Sequence, residues 1–254
     1  MSASPEKTVP FGQENIPLHE KQGRVDGVFH AVAPKYDLMN DLMSAGLHRA
    51  WRNLMIAAAS VPKNNRTFHH LDVAGGTGDI VFRLQKRAGT NVKSTLLDIN
   101  ASMLDVARQE LATKDFADRV EIIEGNAEAL PFEDKSHDLY TIAFGIRNVP
   151  DIQKALSEAR RVLKIGGHFL CLELSQTDVP ILEGGYRFYS DTLLPKIGEW
   201  VTGDGSPYAY LKDSIRRFPS KDNFAAMLRE AGFEKVSYES LAGGICALHS
   251  AWRI

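Results

Sequence analysis

The fold is decided by a glycine-rich stretch that follows a short apolar run, Thr67–Asp79: "TFHHLDVAGGTGD". The first half, which ends at Val73, is a short apolar run followed by glycines, as expected for a buried strand. A helical pattern then runs to about Arg87. Because glycine has no side chain, the backbone N–H groups of such a loop can approach a ligand closely at the start of a helix. The stretch therefore predicts a strand, a ligand-binding turn and a helix.

The same alternation of apolar runs and helical periodicity continues along the chain. The predicted strands are Val92–Ile99, Arg119–Gly125, Asp138–Phe144 and His168–Leu174, and the predicted helices are Ala101–Ala112, Asp151–Gly166 and Lys221–Ala231. Asp151 can cap the start of its helix, and Gly166 can end it. Repeated β-α units of this kind need a parallel sheet that is covered by helices on both faces.

The last two apolar runs, "KVSYESL" and "GICALHSAW", break this pattern because only "AGG" joins them. The connection is too short for a parallel crossover, so the two runs should form an antiparallel hairpin. A mostly parallel, Rossmann-like α/β sheet of seven strands that ends in such a hairpin resembles the class I S-adenosylmethionine-dependent methyltransferases. The expected fold is this class, with an N-terminal helical segment and an aromatic lid insertion added.

Length and composition limit the function further. The chain has 254 residues, of which 44% are hydrophobic and 24% charged, so it can form one large domain with a full core. A net charge of −2 gives no electrostatic support for a nucleic-acid partner. The two cysteines, Cys171 and Cys246, belong to no CxxC or Cys/His cluster, so no metal site is predicted.

The chain divides into an arm and one domain. The polar residues 1–22 are predicted to be a flexible arm, which could remain after a targeting segment is removed. Residues 23–254 are predicted to form a single methyltransferase domain, in which residues 23–61 are a helical cap. Residues 176–218 form an insertion rich in aromatic side chains, and long insertions tend to be lids or binding loops. This lid is expected to bind an apolar substrate or to form the contact of a homodimer.

A pattern of small residues identifies the cofactor loop. Asp72, Ala74, Gly76 and Gly78 match an acidic residue followed by alternating small residues, as in methyltransferases, although Ala74 replaces the usual glycine. The dinucleotide fingerprint GxGxxG would place Val81 at its third glycine, where a side chain prevents close packing of helix on strand. The pattern therefore argues against a dehydrogenase.

Two later loops complete the cofactor prediction. Asp98 stands at the end of the next strand, where its carboxylate can accept hydrogen bonds from both ribose hydroxyls. Asn126 and Ala127 follow the third strand, where an adenine edge would lie. Each residue alone could be an ordinary loop former. Their order and spacing together predict S-adenosylmethionine as the cofactor.

Five segments carry a more specific resemblance: "VFHAVAPKYDLMNDLMSAGLHRAWR", "LDVAGGTGDI", "GNAEALPF", "FGIRNV" and "SIRRFPS". From about Gly23 to the C-terminus the chain resembles the UbiE-type ubiquinone/menaquinone C-methyltransferases. "TIAFGIRNV" and "YESLAGGICALHSAW" resemble the mitochondrial ubiquinone branch of that family. The resemblance implies methylation of a ring carbon of 2-methoxy-6-polyprenyl-1,4-benzoquinol. It also implies a peripheral protein on the matrix side of the mitochondrial inner membrane, in the multi-enzyme complex of ubiquinone biosynthesis.

The resemblance extends to individual cofactor contacts. It implies that Thr77, Asp98, Asn126 and Ala127 contact S-adenosylmethionine. Ala143 stands where bacterial members of the family often have serine, so only a backbone contact is expected there.

The candidate catalytic residues are Arg147 and Asn148, which follow the predicted strand Asp138–Phe144. Ligands of a doubly wound sheet lie beyond the carboxyl ends of the strands, so both residues should border the transferable methyl group. An aromatic carbon is a poor nucleophile until a neighbouring phenol, whose ordinary pKa is about 10, loses its proton. We predict that Arg147 holds the developing phenolate, or a water on its way to it, and that Asn148 orients the pair. The alternative is a structural Arg147 that binds helix carbonyls.

The general base is left open among Asp37, Asp41 and His48, all in the segment "KYDLMNDLMSAGLHRAW". The ordinary pKa of histidine suits a base, but His48 and Asp41 could each cap a helix instead. Tyr36 and Tyr210 are expected to line the pocket. Two alternative functions remain at this point: methylation of demethylmenaquinone, and a cofactor-binding scaffold subunit without its own catalysis.

Overall fold

The computed structural model describes residues 46–62, 66–177 and 206–254, together with 8–11, 14–17 and the single residues Gly23, Asp41 and Ser44. The strands are β1 Thr8–Phe11, β2 Glu14–Pro17, β3 Phe68–Val73, β4 Val92–Asp98, β5 Val120–Glu124, β6 His137–Ala143, β7 Leu163–Leu174, β8 Glu234–Leu241 and β9 Cys246–Arg253. The helices are α1 Leu47–Ala58, α2 Asp79–Arg87, α3 Ala101–Leu111, α4 Ile152–Val162, α5 Ser206–Arg217 and α6 Lys221–Glu230.

The main sheet has seven strands in the order β5-β4-β3-β6-β7-β9-β8. Strands β3 to β7 pair in parallel, whereas β9 pairs antiparallel with both β7 and β8. The chain runs outward from β3 to β5 and then returns to add β6 on the other side of β3. This reversal creates a switch point between the carboxyl ends of β3 and β6, where ligands bind in such sheets. The predicted class I methyltransferase fold is confirmed, including the C-terminal hairpin.

Helices cover both faces of this sheet. Trp51 and Met55 of α1 join Leu84 of α2 in one buried cluster, whereas Leu156 of α4 and Phe224 of α6 belong to another. Burial of an apolar side chain of this size contributes about 1.5–3 kcal/mol to the free energy of unfolding. The sheet is therefore a rigid support for the loops at its carboxyl edge.

The predicted helix Asp151–Gly166 ends earlier in the structure. The N–H of Leu163 still bonds to the carbonyl of Ala159, but Leu163 itself is extended and pairs with His137 of β6. Strand β7 therefore begins at Leu163, and Gly166, with φ of +79°, lies in its irregular first part. Pairing with a neighbouring strand outweighed the local helical periodicity here.

The two segments outside the core are described only in part. Strands β1 and β2, in the predicted arm, pair antiparallel, which is a local structure that the sequence analysis did not include. Residues 178–205 of the predicted lid, and also Tyr36 and Asp37, lie outside the described residues; the described end of the lid forms α5. Among the described residues, no helix is both long enough and apolar enough to cross a membrane.

Candidate active site

A cavity opens at the carboxyl ends of β3, β4, β5 and β6, around the switch point of the sheet. Its empty space, which includes the open solvent at its mouth, is about 690 Å³. The structure brings six of the predicted residues to its wall: Ala74, Gly76, Asp98, Asn126, Ala127 and Asn148. They are distant in sequence, and they meet because parallel strands end at one edge of the sheet. We refer to this space as the main cavity.

The loop between β3 and α2 has left-handed backbone at alternate positions. The φ angles of Ala74, Gly76 and Gly78 are 51°, 55° and 91°. Ala74 adopts this conformation with a Cβ atom, which costs about 1–2 kcal/mol. A Cβ added at Gly78 would lie 2.8 Å from the Phe82 ring, so this glycine allows α2 to start close to the loop. Gly78 thus shapes the loop, whereas Gly76 lines the main cavity.

Asp98 is held at the end of β4 by backbone donors. The N–H of Gly76 donates to its Oδ2 and the N–H of Asn100 to its Oδ1, both at 2.8 Å. These bonds fix the carboxylate at the wall of the main cavity, as the predicted contact with ribose hydroxyls requires. Asn100 is not among the predicted site residues, and its side chain caps α3 by accepting from the N–H of Met103. An asparagine directly before a helical pattern is the signal that could have identified it.

Asp72 is completely buried in β3, and one of its oxygens has no partner. Its Oδ1 accepts a hydrogen bond from the Thr141 hydroxyl at 2.6 Å, whereas Oδ2 accepts none. A Cβ added at Gly75 would lie 2.7 Å from Oδ2, so the cofactor loop passes directly over this oxygen. Burial raises the pKa of Asp72 to about 7. An acceptor of this kind under the loop fits a cofactor that carries positive charge, as S-adenosylmethionine does.

Thr77 and Ala143 border a smaller cavity beside the main one. It has about 330 Å³ of empty space, and Ala74 and Gly76 line both cavities. Arg52, which is not among the predicted site residues, reaches it from α1. Thr77 and Ala143 therefore lie at the cofactor loop, but on its α1 side.

A series of buried hydrogen bonds continues from Asp72 into the core. The Thr141 hydroxyl that donates to Asp72 lies 2.7 Å from Nε2 of His70, and Nδ1 of His70 lies 3.1 Å from the Ser94 hydroxyl. Gln85 then donates to that hydroxyl at 2.8 Å. Burial lowers the pKa of His70 to about 3, so its ring is neutral at physiological pH. Polar residues within predicted buried strands are the sequence signal for these hydrogen bonds.

Arg147 lies in the 3₁₀ turn Ile146–Asn148, which follows β6, and a buried carboxylate holds its guanidinium. Nη1 donates to Oε1 of Glu173 and to the carbonyl of Phe144, both at 2.5 Å. Glu173, at the carboxyl end of β7, also accepts from the N–H of Leu174 at 2.8 Å. Burial raises the pKa of Glu173, and the charge of Arg147 opposes this increase. A lone glutamate within the apolar run "HFLCLEL" was the missed signal.

Asn148 joins this cluster to the main cavity. It lines the cavity, and its Oδ1 accepts a hydrogen bond of 3.0 Å from the hydroxyl of Tyr210 on α5. Burial raises the pKa of Tyr210 to about 12, so the hydroxyl keeps its proton. Nε of Arg147 is buried and has no hydrogen-bond partner. The end of β6 thus carries polar donors beside the cofactor site, which is a suitable arrangement for binding an oxygen of a second substrate.

Asp41 and His48 lie together on the α1 side of the molecule. Nδ1 of His48 is 2.9 Å from the Ser44 hydroxyl and 3.7 Å from Oδ1 of Asp41, and Arg49 donates to both oxygens of Asp41. His48 borders a basic cleft between α1 and α2. Within the described part of the chain, neither Asp41 nor His48 lines the main cavity. The structure therefore brings the two candidate bases to each other but not to Asn148.

Solved structures share this fold. A chain of the complex between the Haloferax volcanii Trm112 methyltransferase activator and a methyltransferase aligns with a TM-score of 0.62 and 18% identity, over 89% of this chain and 97% of that chain. A Thermotoga maritima S-adenosylmethionine-dependent methyltransferase aligns with a TM-score of 0.58 and 19% identity, over 89% and 100% of the two chains. At such identities the likeness shows the fold alone.

Sequence relatives are much closer. The ubiquinone/menaquinone biosynthesis C-methyltransferase UbiE of Rhodopseudomonas palustris (strain HaA2) is 54% identical over 250 residues, which cover 98% of this chain and 99% of the relative. The protein of the same name from Brucella abortus (strain S19) is 54% identical over 244 residues, or 96% and 90% of the two chains. The ubiE/COQ5 methyltransferase family matches residues 18–253. The chain therefore belongs to the ubiE/COQ5 methyltransferase family and is an S-adenosylmethionine-dependent C-methyltransferase.

Proposed function

We propose that the protein methylates a ring carbon of 2-methoxy-6-polyprenyl-1,4-benzoquinol in ubiquinone biosynthesis. The observation that carries this proposal is the cluster of Arg147, Asn148 and Glu173 at the carboxyl ends of β6 and β7, beside the cofactor site. A cationic donor there suits an acceptor that must become a phenolate before its ring carbon can react. The names of the relatives from Rhodopseudomonas and Brucella, at 54% identity, support a quinone precursor as the acceptor.

Different residues of the chain would bind the cofactor and the methyl acceptor. S-Adenosylmethionine, when bound, supplies the methyl group and departs as S-adenosylhomocysteine. Asp98, Asn126 and Ala127 would hold its adenosine part, since all three line the main cavity. Arg147 and Asn148 would bind the acceptor oxygen and stabilise its negative charge as the phenol proton leaves. The phenol proton would pass to water, the electron-rich ring carbon would take up the methyl group, and loss of the ring proton to water would restore the aromatic ring.

The acceptor also suggests where the protein works. A polyprenyl tail is insoluble in water, so the acceptor must be taken from a membrane. We place the protein at the matrix side of the mitochondrial inner membrane, as a peripheral member of the ubiquinone-biosynthesis complex. The resemblance to the mitochondrial branch supports this location. A homodimer, with the insertion 176–218 at its contact or over the acceptor, belongs to the same proposal.

Single-turnover methyl transfer tests the proposal. Labelled S-adenosylmethionine is mixed with enzyme and a short-chain 2-methoxy-6-alkyl-1,4-benzoquinol, and in parallel with a short-chain demethylmenaquinol. The wild type should methylate the benzoquinol. Arg147→Lys keeps the positive charge but loses the planar N–H donors of the guanidinium. It should lower the rate by about 100-fold or more at unchanged cofactor affinity.

The other outcomes identify the alternatives. Preference for the demethylmenaquinol would assign the protein to menaquinone biosynthesis. Tight cofactor binding without any product would indicate a scaffold subunit. Equal rates for wild type and Arg147→Lys would remove Arg147 from the reaction and leave it a structural residue.

A further inference from the structure

We infer that Tyr210 and Glu173 are positioning residues that direct Asn148 and Arg147 toward one oxygen of the methyl acceptor. The inference rests on the proposed function and adds two residues to it. Tyr210 acts through Asn148, and Glu173 acts through Arg147. The four side chains come from α5, from the turn after β6 and from β7.

The first half of the arrangement is the bond between Tyr210 and Asn148. An asparagine amide has an acceptor end and a donor end. Because the tyrosine hydroxyl donates to Oδ1 at 3.0 Å, the acceptor end of Asn148 is occupied on the α5 side. Asn148 also lines the main cavity, so its N–H groups are the end that remains to bind a ligand there. The hydrogen bond from Tyr210 thus orients the amide so that Asn148 presents its N–H donors to an acceptor oxygen.

The second half is the ion pair of Arg147 with Glu173. Nη1 is shared between the carboxylate and the carbonyl of Phe144, whereas Nε is buried without a partner. A buried donor without a partner costs about 1–3 kcal/mol, so it suits a site where a ligand or water completes it. Glu173 fixes the guanidinium so that this donor keeps one direction.

The two halves act as one unit. Arg147 lowers and Glu173 raises the pKa of the Tyr210 hydroxyl, so both charges lie close to it. Burying two charges is expensive unless they are paired, and removal of either leaves the other uncompensated. Such an arrangement at the edge of a ligand cavity is typical of a functional site. Asn148 lines the main cavity whereas Arg147 does not, so the amide N–H is the donor offered to an oxygen that gains negative charge, such as that of a phenolate, and the nearby guanidinium adds positive charge.

Tyr210→Phe tests the inference, because it removes one hydroxyl and keeps the ring. We expect kcat/KM for the short-chain benzoquinol to fall about tenfold, with the affinity for S-adenosylmethionine unchanged. The matched control is Tyr238→Phe, which removes a hydroxyl that donates to Asp222 at 2.6 Å on the surface. This control should leave both quantities unchanged.

A double-mutant cycle shows whether Tyr210 acts through Asn148. Asn148→Ala should already remove what the tyrosine orients, so Tyr210→Phe added to it should cause no further loss. Independent losses that multiply would overturn the inference. So would a Tyr210→Phe protein whose cofactor affinity falls in parallel with its activity, since that result indicates a structural role.

Glu173→Gln tests the other half while it keeps the shape of the side chain. We expect about a tenfold loss of kcat/KM for the benzoquinol at unchanged cofactor affinity, with folding checked by thermal denaturation. The control is Glu158→Gln, which weakens a carboxylate–arginine pair with Arg161 on α4. An unchanged kcat/KM in Glu173→Gln would overturn the role of Glu173.

Binding of a chromophoric phenol separates this inference from the proposed function. The probe is 2-methoxy-4-nitrophenol, titrated by absorbance into the complex with S-adenosylhomocysteine. Wild type should bind the phenolate form, and Tyr210→Phe should bind it about tenfold more weakly. If the wild type shows this binding but no methyl transfer, the inference stands and the proposed function fails. If Tyr210→Phe binds the phenolate as tightly as the wild type, or if the wild type binds none, the inference fails.

Discussion

Nη1 of Arg147 lies 2.5 Å from Oε1 of Glu173, and only 4% and 1% of the two side chains are exposed. Arg147 follows β6 and Glu173 is the next-to-last residue of β7, so the pair joins two neighbouring strands at the carboxyl edge of the sheet. The cost of removing both charges from water offsets much of their attraction. The pair therefore adds little to the free energy of unfolding, but loss of either residue would leave the other as a buried charge without its partner.

Loss of one partner should be more harmful than loss of both. We expect Arg147→Ala or Glu173→Ala to lower the free energy of unfolding by about 3–5 kcal/mol, and Arg147→Met combined with Glu173→Leu to recover most of it. Urea denaturation measures these values. The exposed pair of Arg108 with Asp105 is the control, since its loss should change stability by less than about 1 kcal/mol. A double variant no more stable than the singles would contradict the prediction.

The ionisation of Asp72 should weaken the cofactor-free protein at high pH. Its pKa rises from 3.8 to about 7 on folding, so its contribution to stability is present below pH 3.8 and is lost as the pH rises through 7. The difference corresponds to about 4 kcal/mol. Asp72→Asn should therefore be more stable than the wild type at pH 8, and this advantage should shrink at pH 5.

The same variant should bind S-adenosylmethionine more weakly at pH 8, because it lacks the negative charge under the cofactor loop. Urea denaturation at both pH values and titration calorimetry with the cofactor measure the two effects. Asp105→Asn, exposed on α3, is the control and should show neither. An Asp72→Asn protein less stable than the wild type at pH 8 would refute the assignment of an ionised carboxylate whose Oδ2 has no hydrogen-bond partner.

Buried histidines should make the protein sensitive to acid. Burial lowers the pKa of His70 to about 3 and those of His137, His168 and His249 to about 4, all from 6.5. Their contribution to stability is complete above pH 6.5 and is lost as the pH falls toward 4, because the unfolded chain binds protons first. The raised pKa of Asp72 acts in the opposite direction, but the histidines outnumber it.

Each of the four histidines takes up nearly one proton on unfolding and Asp72 releases nearly one, so we expect the free energy of unfolding to fall by about 4 kcal/mol per pH unit between pH 6 and 5. His249→Gln should reduce this slope by about 1.4 kcal/mol per pH unit, because one proton fewer is taken up on unfolding. Glutamine can still donate to the carbonyl of Lys221, as Nε2 of His249 is placed to do at 3.1 Å. Urea denaturation at pH 7, 6 and 5 provides the slopes, and an unchanged slope in the variant would show that His249 titrates normally in the folded protein.

Ala74 and Gly145 should tolerate only one Cβ atom between them. A Cβ added at Gly145 would lie 2.5 Å from the Cβ of Ala74, so Gly145→Ala should lower the free energy of unfolding by about 1–3 kcal/mol and weaken cofactor binding. Ala74→Gly in the same chain should restore both, because it removes the clash and the strained left-handed alanine. The control is Gly89→Ala, whose nearest contact is the movable side chain of Asn91. Thermal denaturation and cofactor titration measure the two effects. If Ala74→Gly restored neither stability nor cofactor binding, the prediction would be contradicted.

The sequence by itself determined the sheet, the cofactor loop and the positions of Asp98 and Asn126. These features depend on local signals, namely apolar runs of strand length, glycines in a turn and polar residues at strand ends. The rule that parallel strands end at one edge then brings these positions together without any knowledge of packing. Local signals failed at the end of α4, where the pairing of Leu163 with His137 decides the boundary.

Only the tertiary structure decided the partners of the site residues. Glu173 is 26 residues from Arg147, and Tyr210 is 62 residues from Asn148, so no periodicity relates either pair. The direction of a side chain depends on what packs against it, and this is why the guanidinium of Arg147 is held by Glu173 while Asn148 reaches the cavity. The sequence therefore placed an arginine and an asparagine at the end of β6, and the packing of β7 and α5 determined which of their donors remain for a ligand.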